Sequence, residues 1–241
     1  MRILATTILL LFTLSFVSVQ ANDVTDILEK CYKATGGKEK INSIESVKIK
    51  GVMDLPSQGL SVGIYYVSKK PKMYMENEVM GMKITSAYDG NEVWNINPMA
   101  GNEPKVLTGP EADMTKSQLE GFLNLAALPF DGYVEQGIKA EYKGIKLVDS
   151  TKSCHVITFI ETDGSTADVY FDAITFLMYK TQQNVGGQNV ETFVLDRLKN
   201  KGIIYPKSIE IKTDGVISQK LNFSEIDTNF DVDDNIFKMP K

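Results

Sequence analysis

The chain has 241 residues, 43% of them hydrophobic, with a formal net charge of -5, so it can bury a core of ordinary size. An acidic chain without a basic run argues against nucleic-acid binding and against a polybasic membrane anchor. One histidine and two cysteines leave no zinc-ligand spacing, so no such metal site is expected.

Arg2 and the apolar residues 3–17, closed by Val19-Gln20-Ala21, read as an export signal. The apolar run is too short for a spanning helix, and a retained anchor is the weaker alternative. Cleavage is expected after Ala21, leaving Asn22 first and no cysteine there to lipidate. Residues 1–21 are then a signal peptide and 22–241 a single domain of an exported protein. Cys31 and Cys154 either pair in an oxidising compartment or remain two buried thiols, and the second is the plainer reading.

A helix is expected from Asn22 or Asp23, with Val24, Ile27, Leu28 and Cys31 at helical spacing and Thr35-Gly36-Gly37 as its stop. A short helical turn follows through Ile41 and Ile44. The period then changes to two, as in half-buried strands. Val47 and Ile49 share one face, and Val62, Ile64 and Tyr66 the next; Met73 with Met75, then Met80, Met82 and Ile84, continue the pattern. A fifth strand, 93–96, follows the Asp89-Gly90 turn and carries Trp94, the only tryptophan. Pro98, Gly101, Pro104, Gly109 and Pro110 then break the pattern.

After Pro110 the spacing is helical again. Met114, Leu119, Phe122, Leu123 and Ala126 form a stripe, and Leu125, Ala127 and Leu128 widen it until the helix reads as apolar around much of its girth. Pro129 and Gly132 end it. Strands are expected over 139–147, 154–160, 166–171, 177–185, 190–198, 206–213 and 216–226, with hairpin turns at Asp163-Gly164, Gly186-Gly187 and Asp214-Gly215. Pro206 suits the first residue of a strand. Residues 231–241 read as a polar, loosely held tail. Asp231, Asp233 and Asp234 share only their charge with a calcium loop, because its glycine and distal glutamate are missing.

About a dozen strands must curl or close rather than lie flat. Helices over a concave face would leave room for a ligand, whereas a filled sandwich capped by helices would leave none. Met73, Met75, Met80 and Met82, with Ile84 beside them, are candidates for an adaptable apolar lining, against ordinary core filling. Leu119, Phe122, Leu123 and Ala126 read as a lid or as a permanently packed helix. Trp94 either lines the space or belongs to the core. Cys154 and His155 are strand neighbours and point to opposite faces, so they form no nucleophile–base pair, and no catalytic site emerges.

The order strand, Lys69-Lys70-Pro71, two strands, then Asp89-Gly90-Asn91-Glu92-Val93-Trp94-Asn95-Ile96-Asn97-Pro98 resembles the periplasmic outer-membrane lipoprotein carriers of the LolA/LolB type. The Ala34-Thr35-Gly36-Gly37 step and residues 202–206 resemble the larger carrier-like group. The resemblance implies a mainly β (α+β) fold: a curved, antiparallel, unclosed β-barrel with helices covering its concave hydrophobic face. It implies a periplasmic task without a cofactor: binding the acyl chains of lipoproteins and delivering them to the outer membrane. An inner-membrane donor complex and an outer-membrane acceptor would be the partners, and the carrier a monomer. Such carriers often have arginine, able to latch the lid backbone, where this chain has Lys70; lysine lacks the planar fork, which weakens the latch. A lipid-binding or sensor module of the cell envelope is the alternative on the same scaffold.

Overall fold

The computed structural model describes residues 16–123, 128, 130 and 132–240, with backbone alone for 16–22 and 123. Two helices come first, α1 (Phe16–Thr35) and α2 (Lys38–Asn42). Six strands follow: β1 (Ser46–Leu55), β2 (Leu60–Lys69), β3 (Lys72–Val79), β4 (Met82–Tyr88), β5 (Val93–Ile96) and β6 (Lys105–Leu107). Helix α3 (Gly109–Leu123) separates them from β7 (Lys139–Val148), β8 (Lys152–Ile160), β9 (Thr166–Asp172) and β10 (Met178–Val185). The last strands are β11 (Gln188–Asn200), β12 (Ile203–Thr213) and β13 (Val216–Thr228).

All 13 strands lie in one sheet, ordered β6-β5-β4-β3-β2-β1-β13-β12-β11-β10-β9-β8-β7. The pairs are antiparallel throughout, and β1 against β13 joins the two halves mid-sheet. β6 and β7 are free edges, so the barrel does not close. The chain passes from one edge to the other through α3 and the segment after it, because consecutive strands at opposite edges need a long connection. The expected unclosed antiparallel architecture is therefore present. The hairpins follow turn chemistry: Asp214 (φ 49) and Gly215 (φ 78) are both left-handed, as a two-residue turn matched to strand twist requires.

Two cores occupy the helix-bearing face. Under α3, Ile49, Tyr66, Met73, Met75 and Leu119 pack together. Under α1, Val24, Ile27, Leu28 and Cys31 meet Ile157, Phe159, Val169 and Phe171. The stripe expected on α1 is thus its buried face. The end of α1 approaches the β11–β12 turn so closely that a Cβ on Gly36 would lie 2.6 Å from the Gly202 carbonyl oxygen, at φ +138. The Gly36 step and the 202–206 segment, far apart in sequence, meet there.

Four expectations change. Helix α1 begins at Phe16 and runs through Asn22 and Asp23, so neither residue caps it in the uncleaved chain. Residues 105–107, within the stretch of breakers, pair with β5 as edge strand β6. Over its described residues helix α3 is amphipathic, with Thr115 and Leu119 buried and Met114 59% exposed; Leu125, Ala127 and Pro129, which were expected to widen and end the apolar stretch, lie outside the described residues. The tail is not loose. Val232 and Phe237 are buried against Val67, and Asp234 accepts from Lys69 at 2.7 Å and Lys72 at 2.8 Å. Three aspartates hid an apolar pair that the outer face of the sheet needed as cover. Cys31 and Cys154 are free and buried, in clusters on opposite faces of the sheet, since Cys154 alternates with the inward-facing His155 and Ile157.

Candidate functional site

The register decides which methionines reach the helix-bearing face. Met75 pairs with Tyr66 and with Ser86, and Asn77 with Ile84; directly paired residues share a face. Met73, Met75, Met82 and Ile84 therefore point the same way. Met73 and Met75 are packed under α3, with Phe122 stacked on Tyr66 at 5.5 Å between ring centroids. Met82 is exposed at the start of β4, and Met80 is 81% exposed in the β3–β4 turn. The four methionines do not form one continuous lining. Leu119 is fully buried in the same cluster. Leu123 is described by its backbone alone, and Ala126 lies outside the described residues.

Trp94 lies on the other face. It pairs with Ala87 and Val106, its indole N–H donates to the Phe237 carbonyl at 2.8 Å, and the docked tail covers it. It belongs to the core of the outer face, away from the concave side, because it alternates with the inward Val93. Lys70 sits at the β2–β3 turn and its ammonium is 3.9 Å from Glu45. Among the described residues its partner is this loop carboxylate and not α3.

The space lies in the other half of the sheet. A cavity of about 420 Å³ opens between β8–β12 and the covering layer of α1, α2 and the segment after α3. Phe159, Val169, Val194 and Ile209 form its apolar floor, and Leu128 and Phe130 its roof. Phe130 is held by three rings, Tyr32 at 5.9 Å, Phe159 at 5.9 Å and Phe171 at 5.5 Å. Tyr133 meets Phe159 edge-on at 5.5 Å. The mouth is polar, since Gln136, Glu161 and Gln183 line it and are exposed. The inner end is closed by buried Thr35, Ile41, Ile203 and Tyr205.

Among the described residues, one charged side chain faces the inner part. Arg197 lines the cavity, and with Arg2 it makes up the arginines of the whole chain. Register irregularities on both sides of Asp196 set its aim, opposite Pro206 on β12. Proline has no N–H to give the ladder, so it tolerates a bulge better than a regular pair. This is why Pro206 lies inside β12 and not at its start. A second irregularity, between Met178 and Lys180, lets the Met178 carbonyl accept from the Arg197 guanidinium Nη2 at 2.7 Å. Burial lowers the Arg197 pKa, opposed by Asp172 and Asp196, and an arginine stays charged regardless. Asp172 is itself engaged by Lys152 at 2.8 Å and Asp196 by Lys207 at 3.0 Å.

The groups around α1 are quiet. Burial pushes the Cys31 thiol up to about 11 against the lowering effect of its Thr35 and Met178 contacts. His155 Nδ1 lies 2.8 Å from the Tyr142 hydroxyl and its ring stacks on Phe176 at 5.3 Å. Burial lowers the His155 pKa, and Lys30 lowers it further, against Asp26 and Asp23. Under α3, Tyr66 Oη and Ser68 Oγ are buried without a hydrogen-bond partner among the described residues. Among those residues, no group of three or more His, Cys, Asp or Glu side chains could hold a metal ion. No described helix is long and apolar enough to cross a membrane.

Sequence reasoning expected a cavity but placed its lining on the methionine-rich strands, and it missed both the position of the cavity on β8–β12 and Arg197. The available signals were a lone arginine on an apolar strand and a proline inside the strand beside it.

No family model matches the sequence, and no curated protein matches it. Solved structures do. A DUF1329 family protein from Desulfovibrio piger superposes with a TM-score of 0.59 at 14% identity, covering 89% of this chain and 97% of that one. A LolA superfamily protein from Nitrosomonas europaea superposes with a TM-score of 0.54 at 16% identity, covering 89% of this chain and 96% of that one. The fold is LolA-like.

Proposed function

We propose that this protein is an exported carrier that holds acyl chains of lipids or lipoproteins in the cavity between β8–β12 and its helical cover, and delivers them towards the outer membrane. Residues 1–21 serve as the cleaved signal, and the mature chain from Asn22 works in the periplasm as a single domain. The observation that carries this reading is the apolar cavity of about 420 Å³, closed at one end and polar at its mouth. Its size falls in the range of about 300–1,000 Å³ found for small-molecule sites.

The energetics suit a carrier. Each buried methylene contributes ~0.8 kcal/mol, so a long chain contributes on the order of 10 kcal/mol. Release then needs a cover whose closed state is not too stable. The Tyr66 and Ser68 hydroxyls are buried with no well-formed hydrogen bond, Ser68 being the group that acts on Tyr66, and a buried hydroxyl left unpaired costs about 1–3 kcal/mol. That cost lowers the barrier to lifting α3, with Leu119, Phe122, Leu123 and Ala126 as the residues that would meet cargo when it moves. Met73, Met75, Met82, Ile84 and the exposed Met80 would then widen the apolar surface at that end. Trp94 stays outside it under the tail, and Lys70 contributes at most a surface contact to closure.

The test is mass spectrometry of the mature protein isolated gently from its own periplasm. Co-purified acylated proteins or lipids, with a mature mass beginning at Asn22, are expected. An empty protein that takes up neither added lipid nor added lipoprotein refutes the carrier.

A further inference from the structure

The cavity contains a charge that an acyl-only ligand would leave unused. Arg197 reaches it because register breaks on its own strand, around Asp196 on β11, and on the neighbouring β10, between Met178 and Lys180. One guanidinium donor is spent on the Met178 carbonyl. A guanidinium has five donors in a fixed fork. The carboxylates that act on its charge, Asp172 and Asp196, are held by Lys152 and Lys207, and among the described residues Arg197 forms no ion pair. A half-buried guanidinium facing an apolar space is costly unless an anion meets it.

The acidic group at the other end fits the same picture. Glu161 follows Ile160, which pairs with Thr166, while Ala167 pairs with Gln183 and Gln183 with Val190. Carried across to β11, the level of Glu161 is near the start of that strand, and Arg197 is near its end. At about 3.3 Å per residue the two charges lie on the order of 20 Å apart along the strands. Glu161 is exposed at the mouth, whereas Arg197 sits towards the closed end. Capacity limits the rest of the ligand. A methylene takes about the room of a water molecule, ~30 Å³, so the cavity holds on the order of a dozen chain atoms.

Resting on the acyl-binding reading above, we propose that the cavity is a site for a single-chain fatty carboxylate, its head on the Arg197 guanidinium and its chain running towards the mouth between Phe130 and the β8–β12 floor. Arg197 binds and orients the head; Phe130, Val169, Val194 and Ile209 hold the chain. A carboxylate matches the guanidinium fork in two parallel hydrogen bonds, which sets it apart from an alcohol or ester of equal length.

The experiment is calorimetric titration of the mature protein with dodecanoate, dodecanol and dodecyl phosphate. Dodecanoate is expected to bind about 10- to 100-fold more tightly than dodecanol, the usual worth of a hydrogen bond to a charged group. Arg197→Gln should bring dodecanoate down to the level of dodecanol, and continued binding of dodecanol by the variant shows that its cavity is intact; a variant that binds dodecanol yet keeps the preference for dodecanoate overturns the assignment of the head to Arg197. Equal binding of carboxylate and alcohol to the unaltered protein overturns the head-group assignment and leaves the acyl cavity standing. Tighter binding of dodecyl phosphate than of dodecanoate overturns the carboxylate in favour of a phosphate head. If none of the three binds, the acyl-binding reading falls and this proposal falls with it.

Discussion

Phe237→Ala tests how the last residues are held, and the only tryptophan reports the result. Phe237 is fully buried, and its carbonyl accepts the Trp94 indole N–H. A phenylalanine ring buries ~150–250 Å², which at ~25 cal/mol per Å² is about 4–6 kcal/mol. Measured Phe→Ala losses in cores run about 3–5 kcal/mol, the better guide because they include relaxation. The tail's other holds include Val232, the half-buried Phe230 and Ile236, the backbone bond to Trp94, and the contacts of Asp234 with Lys69 and Lys72; none of them replaces a fully buried ring. Those ion pairs are about half exposed, so they contribute little. Losing the ring therefore exceeds what the remaining contacts can hold, and the tail should undock while the sheet stays folded. Trp94, 2% exposed in the intact chain, would then meet water. Tryptophan emission should shift to longer wavelength and become open to iodide quenching, with the circular dichroism of the sheet unchanged. Emission and quenching identical to the unaltered protein would refute the reasoning and return the tail to a solvated appendage.

Two further outcomes follow from the buried titratable groups. His155 has its folded-state pKa below the ordinary 6.5 through burial and the nearby Lys30, opposed by Asp26 and Asp23. The unfolded chain therefore binds this proton more tightly, and the stability His155 contributes is present above pH ~6.5 and lost as pH falls through that value. Urea midpoints should decline on that limb, and His155→Gln should flatten it; an unchanged slope would remove His155 as the cause. Burial pushes the thiols of Cys31 and Cys154 each up to about 11, so both should resist a thiol reagent at neutral pH and react together on unfolding. Rapid labelling of the native protein would contradict their burial.

Local patterns were legible wherever one residue's chemistry settled a turn or a face. The stripe of Val24, Ile27, Leu28 and Cys31, the alternation through Val47 and Ile49, and the Asp214-Gly215 hairpin all appear as read, since each depends on neighbours within a few residues. The tail was misread because Val232 and Phe237 are too far apart to make a pattern, and their partner, Val67, lies on β2. Strand β6 was missed because three residues carry no period. The described part of helix α3 is more polar than the expected stripe because Met114 faces outward while Thr115 and Leu119 turn in.

What the sequence determined by itself was the class of architecture: a period of two preceded by one helical stretch and interrupted by another, too many strands to lie flat, and turns that favour antiparallel neighbours. What the tertiary structure alone decided was where the space lies. Met73 and Met75 look like a lining in sequence, but Leu119 and Tyr66 fill the volume above them. Arg197 looks like one more surface charge, but two register breaks turn it into a cavity built from β8 to β12. Packing and register are sums over strands distant in sequence, so a cavity, being what those sums leave unfilled, has no local signature.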